Sequence, residues 1–134
     1  MTNNINVTLD TSVTPNVLDV NDKDGNYKVN KHDRPQTISW NLTGNLAQAE
    51  FVSMCGNAPG FEWVSDPPPP AGIFGEPEIG ANGNSLDLVD THTNGDSDGT
   101  WVYRLRVLLD GTVYQTTSSA GVSDVRNNPI IINQ

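Results

Sequence analysis

The sequence predicts an all-β fold, an immunoglobulin-like antiparallel β-sandwich formed by residues 1–134 as a single domain. Three observations predict it. Apolar residues alternate with polar ones in several short runs, the period-2 pattern of strands with one buried face. Nine prolines and twelve glycines punctuate those runs, and no long stretch repeats apolar residues at helical spacing. Finally, Asp110-Gly111 stands between two alternating runs, the strongest short-range hairpin signal. A chain of 134 residues can bury a core without disulfides or a metal.

Taken in order, INVTLD (Ile5 to Asp10) sets Ile5, Val7 and Leu9 on one face. Val17 to Arg34 is a charged stretch with Asp24-Gly25 as its expected turn. QTISWNL (Gln36 to Leu42) points Ile38, Trp40 and Leu42 inward, AEFVSM and GFEWV are shorter strand candidates, and SLDLVD (Ser85 to Asp90) places Leu86 and Leu88 on one face. Between them, Pro67 to Pro70 must run near polyproline II, because each ring fixes φ and removes a donor. A polar loop, Asp90 to Gly99, leads into the longest pattern, TWVYRLRVLLDGTVYQTTS. There Trp101, Tyr103, Leu105, Val107 and Leu109 share the inward face, while Arg104 and Arg106 lie on the polar one. The turn register pairs Leu109 with Thr112, Val107 with Tyr114, Arg106 with Gln115 and Arg104 with Thr117. Tyr103 also occupies the place of a tyrosine corner, whose hydroxyl bonds back to the main chain.

The chain closes on VRNNPIIINQ. Exposed β-branched residues invite unwanted strand pairing, so Ile130-Ile131-Ile132 is expected to be a strand inserted in the core. The Asn128-Pro129 bond before it is either a plain turn or a site of chemistry.

Composition excludes several functions. Sixteen acidic residues against seven basic ones leave a net charge of −9, which disfavours nucleic acid and anionic membrane surfaces as partners. No segment has the length of a transmembrane helix and MTNNINVTLD lacks a signal peptide's apolar run, so a cytoplasmic location is expected. Cys55 is the only cysteine and is expected to be a small buried hydrophobe. His32 and His92 stand in no catalytic signature, and the shortage of His and Cys argues against zinc; no cofactor is expected. Asn94, Asp96 and Asp98 before Gly99 match the first half of a calcium loop, but its twelfth position falls on Leu105, where a glutamate is required. They remain weak metal candidates beside the plainer reading of an acidic turn. Asp66 and Glu76 each precede a proline and are candidates for paired carboxylates only if the fold brings them together. Arg104 and Arg106 read as surface arginines on a solvated strand face.

SDPPPP followed by GEPEIG, Trp40 in ISWNL, the WVYRLRVLLDG hairpin and the terminal NPIIIN together resemble the DP-EP family of small bacterial proteins. The resemblance runs from about Ile38 to the end and implies a β-sandwich whose last strand follows a self-cleaved Asp-Pro bond. It also implies self-assembly into a homo-oligomer and, in at least one member, a lysine cross-linked to the new aspartyl end. Carried onto this chain, the scissile bond is Asn128-Pro129, with Asp110, or another carboxylate folded near residue 128, to activate water; the plainer reading of Asp110 is the first residue of an Asp-Gly turn. Two departures follow. Asn128 stands where the cleaving member has aspartate, and an amide is neither a ready base nor a ready acid. No lysine occurs after Lys31, so the position near Thr112 cannot form an isopeptide link. The resemblance therefore implies a self-processing, self-assembling sandwich impaired by Asn128. The alternatives are a non-catalytic structural or oligomerisation module and calcium-dependent binding through Asn94 to Asp98.

Overall fold

Two sheets pack face to face, and the period-2 patterns decide which side chains lie between them. The computed structural model describes residues 2–12, 14, 16–20, 26–65, 67–116 and 129–134. Their strands are β1 (Thr2–Asp10), β2 (Val17–Val20), β3 (Asn26–Val29), β4 (Gln36–Leu42), β5 (Glu50–Phe51), β6 (Phe61–Trp63), β7 (Glu78–Ile79), β8 (Ser85–Asp90), β9 (Gly99–Leu109), β10 (Thr112–Gln115) and β11 (Ile130–Asn133). The first sheet runs β2-β1-β4-β8-β7, and the second is built on β9. No described helix is long and apolar enough to cross a membrane.

The second sheet follows from the alternation of backbone groups along β9, whose successive residues bond to opposite edges. The Val102 and Arg106 carbonyls accept from Val64 and Val52, and the Arg106 N–H donates to the Gly60 carbonyl, which puts β5 and β6 on one edge. On the other edge the Leu105 carbonyl accepts from the Thr116 N–H, and the Tyr103 N–H donates to the Pro129 carbonyl. Hence β10 and β11 occupy successive stretches of the same edge, and β3 lies beyond β11. The last strand is thus inserted between β9 and β3.

The hairpin has the expected register, Leu109 opposite Thr112, Val107 opposite Tyr114 and Arg106 opposite Gln115. Asp110 and Gly111 both have positive φ, 52° and 81°, as a type I′ turn demands. The fourth expected pair, Arg104 with Thr117, involves a position outside the described residues. Both sheets are mixed rather than purely antiparallel: β1 runs parallel to β4, and β11 parallel to β3. Each parallel pair joins strands far apart in sequence, a relation that hairpin signals do not register. The charged Val17 to Arg34 stretch contributes two strands, because Leu18, Val20 and Val29 are buried between its charges.

The core closes around a bond between the sheets. Ile5, Val7, Ile38, Trp40, Leu86 and Leu88 from the first sheet meet Phe61, Tyr103, Leu105, Val107 and Ile131 from the second. The Trp40 indole N–H donates to the Tyr103 hydroxyl at 2.9 Å, and their ring centroids are 5.2 Å apart, edge to face. Tyr103 therefore does not serve as a corner tyrosine; its hydroxyl meets a tryptophan across the core. Phe61 stacks on Tyr103 with 5.3 Å between centroids, so the two sheets share one aromatic cluster. A Tyr103→Phe substitution keeps the ring but strands a buried indole N–H. It is expected to destabilise the fold by about 1–3 kcal/mol, measured by urea unfolding; an unchanged midpoint would contradict the role of this bond.

Candidate functional site at the C-terminal strand

The site begins at Pro129, which is buried and has no N–H to leave unpaired where the strand starts. Its carbonyl accepts from Tyr103 at 3.0 Å. From there Ile130 pairs with Val102, Ile131 with Trp101, Ile132 with Thr100 and Asn133 with Gly99 on the β9 side. On the β3 side the same four residues pair with Asn26, Tyr27, Lys28 and Val29. Ile131 is fully buried in the core. A Cβ at Gly99 would lie 2.6 Å from the Trp101 ring, so any side chain there would have to displace that ring.

At its far end β11 enters a buried polar cluster. Asn133 and Asp90 sit at the inward-facing ends of β11 and β8, one in each sheet, and both are buried. Asn133 Nδ2 donates to Asp90 Oδ1 at 3.0 Å and to the Ser97 carbonyl at 3.0 Å. His92 is wholly buried; its Nδ1 lies 2.7 Å from Ser97 Oγ and its Nε2 2.9 Å from the Gln134 carbonyl oxygen. Ser97 Oγ in turn donates to the Asn94 carbonyl at 2.9 Å, and the Gln134 N–H donates to Val29 at 3.0 Å. Asp98 approaches His92 Nε2 at 3.6 Å and is paired with Lys31 at 2.8 Å. Burial raises the Asp90 carboxyl to about 6, opposed by the bond from Asn133 and by His92.

The Ser97–His92–Asp98 contacts have the connectivity of a nucleophile, base and orienting carboxylate. Ser97 and His92 are buried, however, and their hydrogen bonds run to Asn94 and Gln134. The arrangement does not present a nucleophile to a substrate. It clamps the last strand.

Among the residues singled out by sequence, Pro129 lies in this site and Asn128 lies outside the described residues. Asp110 is elsewhere. It is exposed at the β9–β10 turn, seven positions along β9 from Tyr103, or roughly 23 Å at strand rise. The structure does not bring it to Pro129. Asn94 Oδ1 accepts from the Asp96 N–H as a cap on the short 3-10 turn Gly95–Ser97, and Asp98 pairs with Lys31, so both side chains are committed within the protein. Among the described residues no group of three or more His, Cys, Asp or Glu side chains is placed to hold a metal. Asp66 is outside the described residues, and Glu76 is exposed.

Two expectations are corrected. Cys55 is exposed rather than buried, because the chain leaves the sheet after Phe51 and bends, with the Cys55 N–H on Ser53 Oγ. It borders an open groove of about 530 Å³ lined by Glu50, Met54 and Asn82 among others. Arg104 and Arg106 are not on a solvated face either. β6 lays Glu62 across them, and Glu62 Oε1 accepts from Arg106 at 2.7 Å and from Arg104 at 3.3 Å. Arg106 also donates to the Pro59 carbonyl and to Gln115, and is only 9% exposed.

No motif in the sequence marks Asp90 or Asn133 as site residues, and His92 stands in no catalytic signature. A signal was present for two of them: the inward alternation of Leu86 and Leu88 continues to Asp90, and that of Ile131 to Asn133. No family model matches this chain, and no curated protein matches it. Fold and site together define an all-β sandwich whose last strand is held on both edges and clamped at its end. Truncating Ile131→Ala is expected to cost about 2–5 kcal/mol, with hydrogen exchange rising first in β11. Equal exchange in the two proteins would show that Ile131 does not hold the strand.

Proposed function

We propose that this protein is a self-processing, self-assembling β-sandwich of the DP-EP type, whose one reaction is cleavage of its own Asn128–Pro129 bond. The observation that carries this reading is the seating of the segment after that bond. Pro129 is buried, and β11 pairs with β9 and β3 at once, so the Pro129–Gln134 piece needs no covalent link to stay bound. Cleavage would leave the fold intact.

Asn128 impairs the reaction, because a carboxyl group at that position can act as base, nucleophile or acid and an amide does none of these readily. The route left open is cyclisation. Asn128 Nδ2 attacks its own main-chain carbonyl carbon, the bond to Pro129 nitrogen breaks, and the proton lost by the attacking nitrogen passes to the proline. The product on residue 128 is a succinimide. Attack on the Asn128 side chain by the following main-chain nitrogen does not compete, since that nitrogen carries no proton.

A second reading, a non-catalytic module that assembles through its sheet edges, is favoured by a different observation. Asp110, the carboxylate that the resemblance offered, lies far from Pro129. Among the described residues β2 and β3 each pair on one side only, whereas Asn45 closes the edge of β1 by bonding both backbone groups of Leu9. Open edges of this kind accept another chain.

An Asn128→Asp substitution separates the two readings by intact mass under denaturing conditions, fresh and after prolonged incubation. The substituted chain is expected to yield a fragment ending at residue 128, with the 129–134 peptide retained under native conditions. The parent chain is expected to be cut slower by about 100-fold or more, its fragment lighter by one water than the hydrolysed form. Full-length mass in both proteins throughout would sink self-processing and leave the module.

A further inference from the structure

Two buried oxygens at the end of β11 have no hydrogen-bond partner among the described residues: Asp90 Oδ2 and Asn133 Oδ1. They belong to the two side chains already joined by Asn133 Nδ2 and Asp90 Oδ1 at 3.0 Å. The amide orientation is determined by its surroundings. Its nitrogen faces two acceptors, Asp90 Oδ1 and the Ser97 carbonyl, and reversing it would set oxygen against oxygen twice. Each residue therefore offers one satisfied atom and one lone acceptor on the same planar group. A charged carboxylate cannot complete the pair, because both remaining atoms only accept. A carboxylic acid can.

We propose that Asp90 and Asn133 form a proton-dependent lock on the C-terminal strand, in which neutral Asp90 donates from Oδ2 to Asn133 Oδ1 while its Oδ1 accepts from Asn133 Nδ2. The result is a closed acid–amide pair that spans the two sheets and satisfies both lone oxygens with a proton taken from solvent. Loss of that proton leaves a buried carboxylate against an amide oxygen and loosens β11. The lock does not depend on cleavage, since the uncut chain carries the same contacts.

The groups around Asp90 set its pH range. On β11 stands Asn133, whose Nδ2 bond favours the charged form, and on its own chain beyond β8 stands His92, which favours it too. From β4 the register partner is Gln36, and Phe74 bridges to Asp90 from the other side; neither is charged. One step further out, Asp98 lies on His92 and is paired with Lys31, while His32 pairs with Asp33. Burial outweighs both the bond that Asn133 Nδ2 donates and the influence of His92, and the carboxyl is raised to about 6. The folded chain therefore keeps this proton at pH values where the unfolded chain, with a carboxyl near 3.9, has lost it. The stabilisation is complete below about 4, the unfolded value, and it disappears as pH rises through the folded one.

Asp90→Asn replaces the acid with an amide that donates and accepts in the same places at every pH. The test compares the melting temperature of the two full-length chains from pH 4.5 to 8, together with hydrogen exchange of the β11 amides. The parent is expected to lose melting temperature across this range relative to Asp90→Asn, and its β11 exchange, corrected for intrinsic pH dependence, should accelerate by about 100-fold. Parallel profiles for the two proteins would overturn the lock. If the substituted chain does not fold, the carbon-13 shift of the Asp90 carboxyl in the parent decides the matter. A midpoint well above the ordinary carboxylate range supports the proposal. A midpoint near 4 means a charged carboxylate satisfied by something other than its own proton, such as a water or a cation, and overturns it.

Discussion

Everything in the second sheet is arranged around β9. This eleven-residue strand offers two edges, and each is filled by two separate pieces of chain: β5 and β6 on one, β10 and β11 on the other. A strand that long cannot leave its backbone unpaired in a sandwich interior, where each orphaned group costs about as much as a lost hydrogen bond. The demand for partners along β9 draws in the two- and three-residue strands, which are too short to pair stably alone. It also gives the terminal isoleucines their place. β11 completes the edge that β10 leaves after Thr116, and it supplies β3 with its only partner among the described residues.

The side chains of β9 tie the second sheet to the first in two chemically different ways. At its middle, Tyr103 joins Trp40 and Phe61 in an aromatic cluster in which the Trp40 indole N–H finds its acceptor in the Tyr103 hydroxyl, so the tryptophan is buried without orphaning its donor. Where β9 starts, the bond between sheets is polar throughout, from Asn133 to Asp90, with His92 and Ser97 beside it. A polar network of that kind contributes less net stability than an apolar plug of the same volume. Its partners are directional, however, so it defines one register for β11 against the opposite sheet. A slip by one residue would turn Ile131 and Asn133 outward and Ile130 and Ile132 inward.

The same economy explains the buried guanidinium groups on the other face of β9. Arg104 and Arg106 alternate with the core residues and would face water if β9 were an ordinary outer strand. β6 brings Glu62 to them, and one carboxylate oxygen is shared by both guanidinium groups while the Pro59 carbonyl and Gln115 supply further acceptors to Arg106. Pairing of short strands with β9 thus settles both its backbone and its charges.

The sequence by itself determined the all-β class, the strands with strong alternation, the hairpin at Asp110-Gly111 with its register, and the conversion of the terminal isoleucines into a core strand. These are properties of a few adjacent residues: side-chain period, turn conformation and the cost of exposing β-branched chains. Only the tertiary structure decided that β1 and β4, and β3 and β11, run parallel, since nothing local encodes which distant strands become neighbours. The exposure of Cys55, the burial of Arg106 and the distance between Asp110 and Pro129 were settled in the same way, by the path of chain remote in sequence. Asp90 and Asn133 show the boundary most clearly. Alternation places each on an inward face, but which atoms meet there depends on two sheets closing on each other. A polar residue's partner lies across space rather than along the chain.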